Sequence, residues 1–340
     1  MAGKQINWEG SKLKKRIFAT VLSLVMVLSL AACGGGSGNA DSGDGAGQVN
    51  LKMATGGTSG TYYGFSGVVA QVLNAQFEDI FKVTVESTGA SKANVQLVDA
   101  GESQIAIIQN DVMSYAYNAT DMFEGEDAVD SYSAVMSCYP EVVQIIANSS
   151  INSIEDLKGK RISVGDQGSG VEFNSRQILA AYGISFDDIT VNYQSFADSA
   201  DSIKNGTIDA AFVVAGTPTT AVTELASTYN FKLLSVDDAH IEALQADYGF
   251  YAKVSVPGGT YGCVEEDIQT VAVMATIIAR NDIPEEVIYA FVKGMFDYKD
   301  EITAGHTKGA EINLETAISG ISIPFHAGAE AYYKEVGAIE

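Results

Sequence analysis

The sequence contains few basic residues and few histidines. Its 340 residues include 20 Lys and Arg against 43 Asp and Glu, so the formal net charge at pH 7 is −23. A surface of this sign repels nucleic acid and anionic lipid, and no nucleic-acid partner is predicted. The three histidines, His240, His306 and His326, lie far apart and lack the spacing of metal ligands. The sequence therefore indicates neither a metal site nor a cofactor.

The motifs of two large enzyme classes are also missing. No G-x-x-x-x-G-K-[ST] motif is present, which excludes phosphate binding by a P-loop. The G-x-S-x-G motif of a serine nucleophile is absent too, and Gly168–Gly170 does not have its spacing. We therefore predict that the protein is not an enzyme. Its composition, 46% hydrophobic and 19% charged, is typical of a soluble globular protein, and its length allows about two domains.

The apolar run near the N-terminus, residues 17–30, is too short for an ordinary membrane-spanning helix. It follows a basic segment, residues 12–16, and has the length of a signal-peptide core. Its end, Leu30–Cys33, resembles the lipobox of bacterial lipoproteins, in which the cysteine is acylated after cleavage. We predict a lipoprotein signal peptide over residues 1–32, lipidation of Cys33 and a flexible Gly/Ser/Asp tether over 33–48. The alternative is a plain secretory signal.

Two cysteines remain after Cys33, namely Cys138 and Cys263. In an oxidising compartment an even pair can form a disulfide. Two free thiols are equally compatible with the sequence, because sequence does not show whether the two residues meet.

Beyond the tether, strand-length apolar segments alternate with helical segments. Two series of the same layout follow one another, from Val49 to about Ala147 and from Ile151 onwards, and each contains a Gly-rich loop between a strand and a helix. This alternation predicts an α/β fold in which mostly parallel sheets are flanked by helices. Duplicated halves of this kind place a ligand in the crevice between them. Residues 300–313 are predicted to be a loop.

The Gly-rich loops indicate anion binding. Gly56–Thr61 lies between a strand and a helix, where unpaired backbone N–H groups and hydroxyls can hold an anion. No Lys follows the loop, so we predict a carboxylate held by neutral donors. The segment 167–170 repeats this pattern in the second series.

Several motifs together resemble the TAXI solute-binding proteins of tripartite ATP-independent periplasmic (TRAP) transporters. They include ATGGTSGTYY at 54–63, ESTGAS at 86–91, QND at 109–111, IEDLKGKRISVG at 154–165 and GSG at 168–170. The resemblance covers Val49 to about Glu340. It implies a two-lobed, type II periplasmic-binding-protein fold with a ligand in the inter-lobe cleft. The implied lobes are 49–146 plus 273–340, and 147–272.

The resemblance also implies a function. Members of the family capture small organic anions, such as glutamate or dicarboxylates, for an ion-gradient-driven permease fused from two integral subunits. We therefore predict an extracytoplasmic receptor, lipid-anchored to the bacterial cell membrane, that delivers such an anion to a TRAP permease. The alternatives are a receptor of the same fold for an ABC importer or a sensor kinase and, with less support, an extracytoplasmic enzyme.

The predicted ligand-binding residues follow the ends of strands in both series. Thr88–Ser91 and Asn110 could equally be helix caps. Lys92 and Arg176 are weaker candidates for pairing with a carboxylate. The predicted ligand-binding residues are Gly57, Thr58, Ser59, Gly60, Thr61, Tyr62, Thr88, Gly89, Ala90, Ser91, Asn94, Gln109, Asn110, Gln167, Gly168, Ser169, Gly170, Thr217 and Pro218.

Overall fold

The structure is a computed structural model that describes residues 47–340. The predicted signal peptide, Cys33 and the tether up to residue 46 lie outside the described residues. Within 47–340, ten strands form one mixed sheet. The strands are β1 (Val49–Ala54), β2 (Phe81–Glu86), β3 (Ile105–Gln109), β4 (Tyr132–Ala147), β5 (Arg161–Ser163), β6 (Thr190–Asn192), β7 (Ala210–Ala215), β8 (Lys232–Leu234), β9 (Ala252–Val256) and β10 (Ile268–Arg280).

The sheet has two parallel parts joined by an antiparallel centre. The strand order is β2-β1-β3-β10-β4-β7-β5-β6, with β8 paired to β4 and β9 to β10. On one side β1 runs parallel to β2 and β3, and on the other β5 runs parallel to β6 and β7. Between them, β10 and β4 are antiparallel to each other and to the strands beside them. The predicted α/β class, with parallel strands in each half, is confirmed.

The two central strands pass from one half of the sheet into the other. β4 has 16 residues and β10 has 13, and they pair from Tyr132 opposite Arg280 to Val142 opposite Ala272. The register shifts near Cys138, between the pairs Ala275–Tyr139 and Thr276–Ser137. A proline cannot donate to a ladder, and Pro140 lies beside this irregularity. β4 nevertheless continues through Pro140, from Tyr132 to Ala147.

Eleven α-helices cover the sheet within the described range, and the rest of that range includes short 3₁₀ turns. Among the described residues, no helix is both long enough and apolar enough to cross a membrane. The helices are α1 (Thr61–Gln76), α2 (Ser91–Asp99), α3 (Asn110–Asn118), α4 (Gly170–Ala181), α5 (Phe196–Lys204), α6 (Thr220–Ala226), α7 (Asp238–Asp247), α8 (Glu285–Asp297), α9 (Lys299–Gly305), α10 (Leu314–Ile318) and α11 (Ala327–Glu335).

The predicted loop over residues 300–313 is wrong. It contains most of α9, followed by a 3₁₀ turn at Thr307–Glu311. The local sequence is polar and carries Thr and Gly, which favour other conformations. Tertiary packing overrides this preference, because Ile302 is fully buried in the core that α1 and α8 share.

Each half of the sheet has apolar cores of its own. In the half with β1, one core contains Phe65 of α1 and Phe291 of α8, and another contains Val112 of α3. In the half with β5, one core contains Ile178 of α4 and another contains Leu225 of α6. Burial of these faces positions the helices over the sheet, and the strand ends between the halves remain open to a ligand.

The disulfide that the sequence allowed is absent from the described residues: Cys138 and Cys263 are both free thiols. Cys138 is buried in the core around Phe65, whereas Cys263 packs at the edge of the core around Leu225. Since the two residues belong to different cores, tertiary packing keeps their thiols apart.

Candidate functional site

Four helices begin at a single cleft. Helices α1, α2 and α3 each follow the carboxyl end of a parallel strand in one half of the sheet, and α4 follows β5 in the other half. Residues at the start of all four helices line the cleft: Gly60, Thr61 and Tyr62 of α1, Ala90 and Ser91 of α2, Gln109 before α3, and Ser169, Gly170 and Val171 of α4.

The first helical N–H groups have no partner within their own helix, so a helix start carries a partial positive charge. In residues 47–340, the N-cap residues of α1, α2 and α3 make no side-chain capping bond. In α4, Ser169 accepts from the N–H of Glu172 at 3.2 Å, which satisfies one of these donors. The cleft is therefore rich in backbone donors suited to an anion.

The cleft is nearly closed in this structure. Its volume is about 40 Å³, far below the range of about 300–1,000 Å³ typical of ligand pockets, so a solute would enter only if the two sides move apart. Val171, Phe196 and Val214 form its apolar wall. The polar lining comes from Ser59, Thr61, Tyr62, Ser91, Gln109, Glu141, Asp166 and Ser169.

The structure brings together ten of the predicted ligand-binding residues in this cleft. They come from both series of the chain, as the duplicated layout predicted. The ten are Gly57, Ser59, Gly60, Thr61, Tyr62, Ala90, Ser91, Gln109, Ser169 and Gly170. The nine predicted residues that do not line it are Thr58, Thr88, Gly89, Asn94, Asn110, Gln167, Gly168, Thr217 and Pro218.

The loop before α1 connects the two series across the cleft. The Thr61 hydroxyl donates to the carbonyl oxygen of Gly216 at 3.0 Å. The carbonyl oxygen of Ser59 accepts from the N–H of Ala221 at 3.3 Å. Within the loop, the N–H of Gly60 donates to the carbonyl oxygen of Gly57 at 2.9 Å and closes the turn. The Thr61 hydroxyl is therefore already hydrogen-bonded within the protein, whereas the Thr61 backbone N–H lies at the start of α1.

Ala90 has an unusual backbone conformation. Its φ is 68°, a value that residues with a side chain rarely adopt. Ala90 precedes α2 and lines the cleft. Strained residues of this kind cluster at ligand sites, where the surrounding structure holds them in place.

The side chains of Asn94 and Thr88 form hydrogen bonds to the backbone of neighbouring strands next to the cleft. The Asn94 amide group donates to the carbonyl oxygens of Thr55 at 2.6 Å and Ile107 at 2.9 Å. Thr88 donates to the carbonyl oxygen of Thr55 at 3.0 Å. These bonds join the ends of β1 and β3 to the start of α2.

Of the other predicted residues outside the lining, Asn110 and Gly168 make structural hydrogen bonds, and Gly89 is half-buried. The Asn110 side chain accepts from the N–H of Met274 at 2.9 Å and donates to the carbonyl oxygen of Gly320. The N–H of Gly168 donates to Glu172 at 2.7 Å. Thr217 and Pro218 are joined by a cis peptide bond. Exposed side chains are those of Thr58, Gln167 and Pro218.

The two charged candidates, Lys92 and Arg176, form ion pairs with glutamate side chains that do not line the cleft. Lys92 pairs with Glu126 at 2.6 Å and lies over the ring of Phe123. Arg176 pairs with Glu172 at 3.2 Å and stacks on Phe186. Among the described residues that line the cleft there is no Lys, Arg or His. An anion would therefore meet neutral donors.

A buried carboxyl group in the cleft was missed by the sequence analysis. Glu141 of β4 is 2% exposed, lines the cleft and accepts a hydrogen bond from the Tyr62 hydroxyl. Burial raises the pKa of Glu141 well above its usual range, and the nearby Asp111 adds to the effect. The sequence signal was a single acidic residue inside a long apolar stretch, a position where charged residues are rare unless they are paired.

The other lining residues that were missed are Gly56, Asp166, Val171, Phe196, Val214 and Ala215. Gly56 and Asp166 lie inside the Gly-rich loops, next to residues that were predicted. Val171, Phe196, Val214 and Ala215 are apolar, and nothing in the sequence distinguishes them from core residues.

A buried polar network joins α3 to α4 beside the cleft. The Asn174 amide group donates to Asp111 at 2.9 Å and to the Tyr251 hydroxyl at 3.0 Å. The Tyr251 hydroxyl donates to Gln177 at 2.7 Å, and Gln177 donates to Asp121 at 3.1 Å. Burial raises the pKa of Asp111 from 3.8 to about 6. The network bonds the first series of the chain to the second.

Within residues 47–340, no cluster of three or more His, Cys, Asp or Glu side chains is arranged to hold a metal ion.

Comparison with known proteins agrees with this architecture. The model of the NMT1-like family matches residues 53–337. PhnD1 from Prochlorococcus marinus, solved in complex with methylphosphonate, is 11% identical with a TM-score of 0.53 over 85% of this chain and 99% of that one. A protein from Bordetella bronchiseptica has a TM-score of 0.52 at 15% identity, over 86% and 90% of the two chains.

The periplasmic aliphatic sulphonate binding protein SsuA from Escherichia coli is 16% identical with a TM-score of 0.48, over 84% and 83% of the two chains. The likeness to PhnD1 and to the Bordetella protein shows the fold, and the predicted type II periplasmic-binding-protein fold is confirmed.

Proposed function

The chain belongs to the NMT1-like family, and from this premise we propose that it is an extracytoplasmic solute-binding protein that captures a small organic anion for a membrane transporter. The ligand binds in the cleft where α1, α2, α3 and α4 begin. A carboxylate or a similar small acidic group meets the backbone N–H groups at these helix starts. Binding and release, without turnover, are the whole of its action.

The observation that carries this proposal is the convergence of four helix N-termini on one cleft. A single helix start attracts an anion weakly, but several that face the same space add their partial charges. The protein is strongly acidic, so this local field must overcome the repulsion of the whole surface. Methylphosphonate, bound by a protein of the same fold, is a small anion of the kind proposed.

The two halves of the sheet act as lobes in this proposal. Lobe 1 comprises residues 49–146 and 273–340, and lobe 2 comprises residues 147–272. The strands β4 and β10 cross between them and form the hinge. Closure brings Thr61 to Gly216 and Gln109 to Gly170, so the ligand is sealed between the lobes.

The transporter is the second part of the proposal. An ATP-driven importer of the ABC type is the first candidate, since the family match gives no support to the TAXI assignment that the motifs suggest. The TRAP permease is the second candidate. Residues 1–32 serve as a lipoprotein signal in both cases, with Cys33 as the anchor. Co-purification of the anchored protein distinguishes the candidates: an ATPase-bearing complex supports the first, and a fused multi-span permease supports the second.

Titration calorimetry tests the binding function. The protein is first unfolded and refolded to remove any ligand that it carries. It is then titrated with α-amino acids, monocarboxylates, dicarboxylates and alkylphosphonates, with neutral sugars as the control series. We expect saturable binding of at least one acidic or zwitterionic solute at one site per chain, and no binding of the sugars. Binding of sugars alone, or of nothing in the panel, would contradict the proposal.

A further inference from the structure

The cleft contains unsatisfied hydrogen-bond acceptors as well as donors. The Tyr62 hydroxyl bonds one carboxyl oxygen of Glu141, and the other oxygen makes no hydrogen bond to any described residue. The amide oxygen of Gln109 is buried without a partner in residues 47–340. Gln109 is 2% exposed and lines the cleft. Asp166 adds a second carboxyl group to the lining.

Within residues 47–340, these acceptors have no cationic partner. The titratable groups that act on Glu141 are Tyr62, Tyr139, Cys138 and Asp111, and none of them is basic. The Lys308 side chain packs against Gly216, and its ammonium group forms an ion pair with Glu311 at 2.6 Å. A buried carboxylate without a cation is costly, because it has lost water and gained no opposite charge. A ligand that supplies a positive charge would remove this cost.

We propose that Glu141 binds a protonated amine of the ligand and thereby selects zwitterionic solutes over plain mono- or dicarboxylates. The inference rests on the proposed binding function and names the ligand class of the same cleft. The carboxylate of the ligand lies at the helix starts, and its ammonium group lies between Glu141 and the free amide oxygen of Gln109. Tyr62 holds the Glu141 carboxyl group in position by donating its hydroxyl proton.

Glu141 has a second chemically reasonable role, as a neutral hydrogen-bond donor. The experiment distinguishes this role from binding of an ammonium group. A carboxyl group kept neutral by burial can donate its own proton to a ligand carboxylate. In that case Glu141 favours dicarboxylates, and glutamine, which keeps a neutral donor, replaces it without loss. A bound ammonium group requires the carboxylate form, and glutamine cannot supply it.

Matched ligand pairs provide the test. Each pair shares a carbon skeleton and differs in the amine alone: L-glutamate and glutarate, L-alanine and propionate, L-leucine and 4-methylpentanoate. Wild-type protein freed of ligand is titrated with each member at constant ionic strength. We expect the amino acid of at least one pair to bind about 100-fold or more tightly than its partner. Equal binding within every pair that binds would overturn the inference and leave the proposed binding function intact.

The variant Glu141→Gln completes the test. It is expected to weaken binding of the amino acid at least about tenfold and to leave the amine-free partner unchanged or tighter. Unchanged binding of the amino acid would overturn the inference. If no member of any pair binds the wild type, the proposed function for these solutes fails, and the inference fails with it.

Proton exchange on binding provides a readout that does not depend on a variant. Calorimetry of the wild type in buffers of different ionisation enthalpy counts the protons exchanged. An ammonium group that pairs with Glu141 lowers the pKa of that carboxyl, so protons are released to the buffer. An absence of proton release, whether no exchange or proton uptake, would support the neutral-donor role and overturn the inference.

Discussion

The amide oxygen of Gln109 lies 1.7 Å from the position that a Cβ atom on residue 170 would occupy. Glycine at the start of α4 thus allows the Gln109 side chain to pass against the backbone of the second series. We expect Gly170→Ala to displace the Gln109 amide from its position in the cleft lining and to weaken ligand binding at least about tenfold, or about 1.4 kcal/mol. Titration calorimetry with the tightest solute of the panel measures the loss.

Two controls accompany this prediction. Gly67→Ala adds the same methyl group on α1, where no described atom beyond the neighbouring helical turns lies within 4 Å, and should leave binding unchanged. Replacing Gln109 by Ala in the Gly170→Ala background removes the clash and should make the loss smaller than the sum of the two single losses. Wild-type affinity in Gly170→Ala would show that the contact has no part in the bound state.

Asp111 makes the stability of the protein depend on pH. Its pKa is raised from 3.8 to about 6, chiefly because the carboxyl group is buried. A carboxyl whose pKa is higher in the folded state stabilises the fold below its unfolded pKa, and the contribution is lost as the pH rises through about 6. The shift corresponds to at most about 3 kcal/mol of unfolding free energy.

The variant Asp111→Asn isolates this contribution, because asparagine keeps an acceptor for the Asn174 amide but cannot titrate. Urea unfolding of both proteins is measured between pH 4 and pH 8. We expect the wild type to lose stability relative to the variant between pH 4 and pH 6, and the difference to be constant above pH 7. Parallel curves across the whole range would show that Asp111 is ionised throughout.

Asn94 is expected to affect stability rather than recognition. Asn94→Ala leaves the buried carbonyl oxygens of Thr55 and Ile107 without their side-chain donor, which costs about 2–3 kcal/mol of unfolding free energy. Asn118→Ala, at an exposed site on α3, is the matched control and should change stability by no more than about 0.5 kcal/mol. A loss of ligand affinity by Asn94→Ala without a loss of stability would instead indicate contact with the ligand.

The two thiols should differ in reactivity. Cys138 is fully buried, and burial raises the pKa of its thiol, so the nucleophilic thiolate is scarce. Cys263 is partly exposed. A maleimide reagent should label Cys263 in the native protein and Cys138 only after unfolding, as read by peptide mass spectrometry. Protection of both residues until a reductant is added would reveal a disulfide.

The local residue pattern was sufficient to place the Gly-rich loops. Gly57, Gly60 and Gly170 were predicted to face a ligand because a glycine turn between a strand and a helix leaves backbone donors free, and the structure brings all three to one cleft. Glu141 could not be predicted as a neighbour of these loops. It reaches the cleft only because β4 runs through the centre of the sheet, and that pairing joins residues far apart in the sequence.

Asn94 and Thr88 illustrate the opposite situation. Their sequence context is that of ligand-binding residues, but their hydrogen-bonding groups are used by backbone carbonyl oxygens of neighbouring strands. A polar residue near a strand end can face the ligand or brace the strands, and the direction of its side chain decides between the two. That direction depends on how α2 packs against the sheet.

The sequence by itself determined the α/β class, the succession of most strands and helices, and the loops whose amides can hold an anion, because these features follow from local periodicity and from the conformations that glycine permits. Only the tertiary structure decided that Cys138 and Cys263 are free thiols within residues 47–340, that residues 299–305 and 307–311 are helical, and that Glu141 and Gln109 share the cleft with four helix starts. These properties depend on contacts between distant segments, which form when apolar faces pack together and which no local pattern encodes.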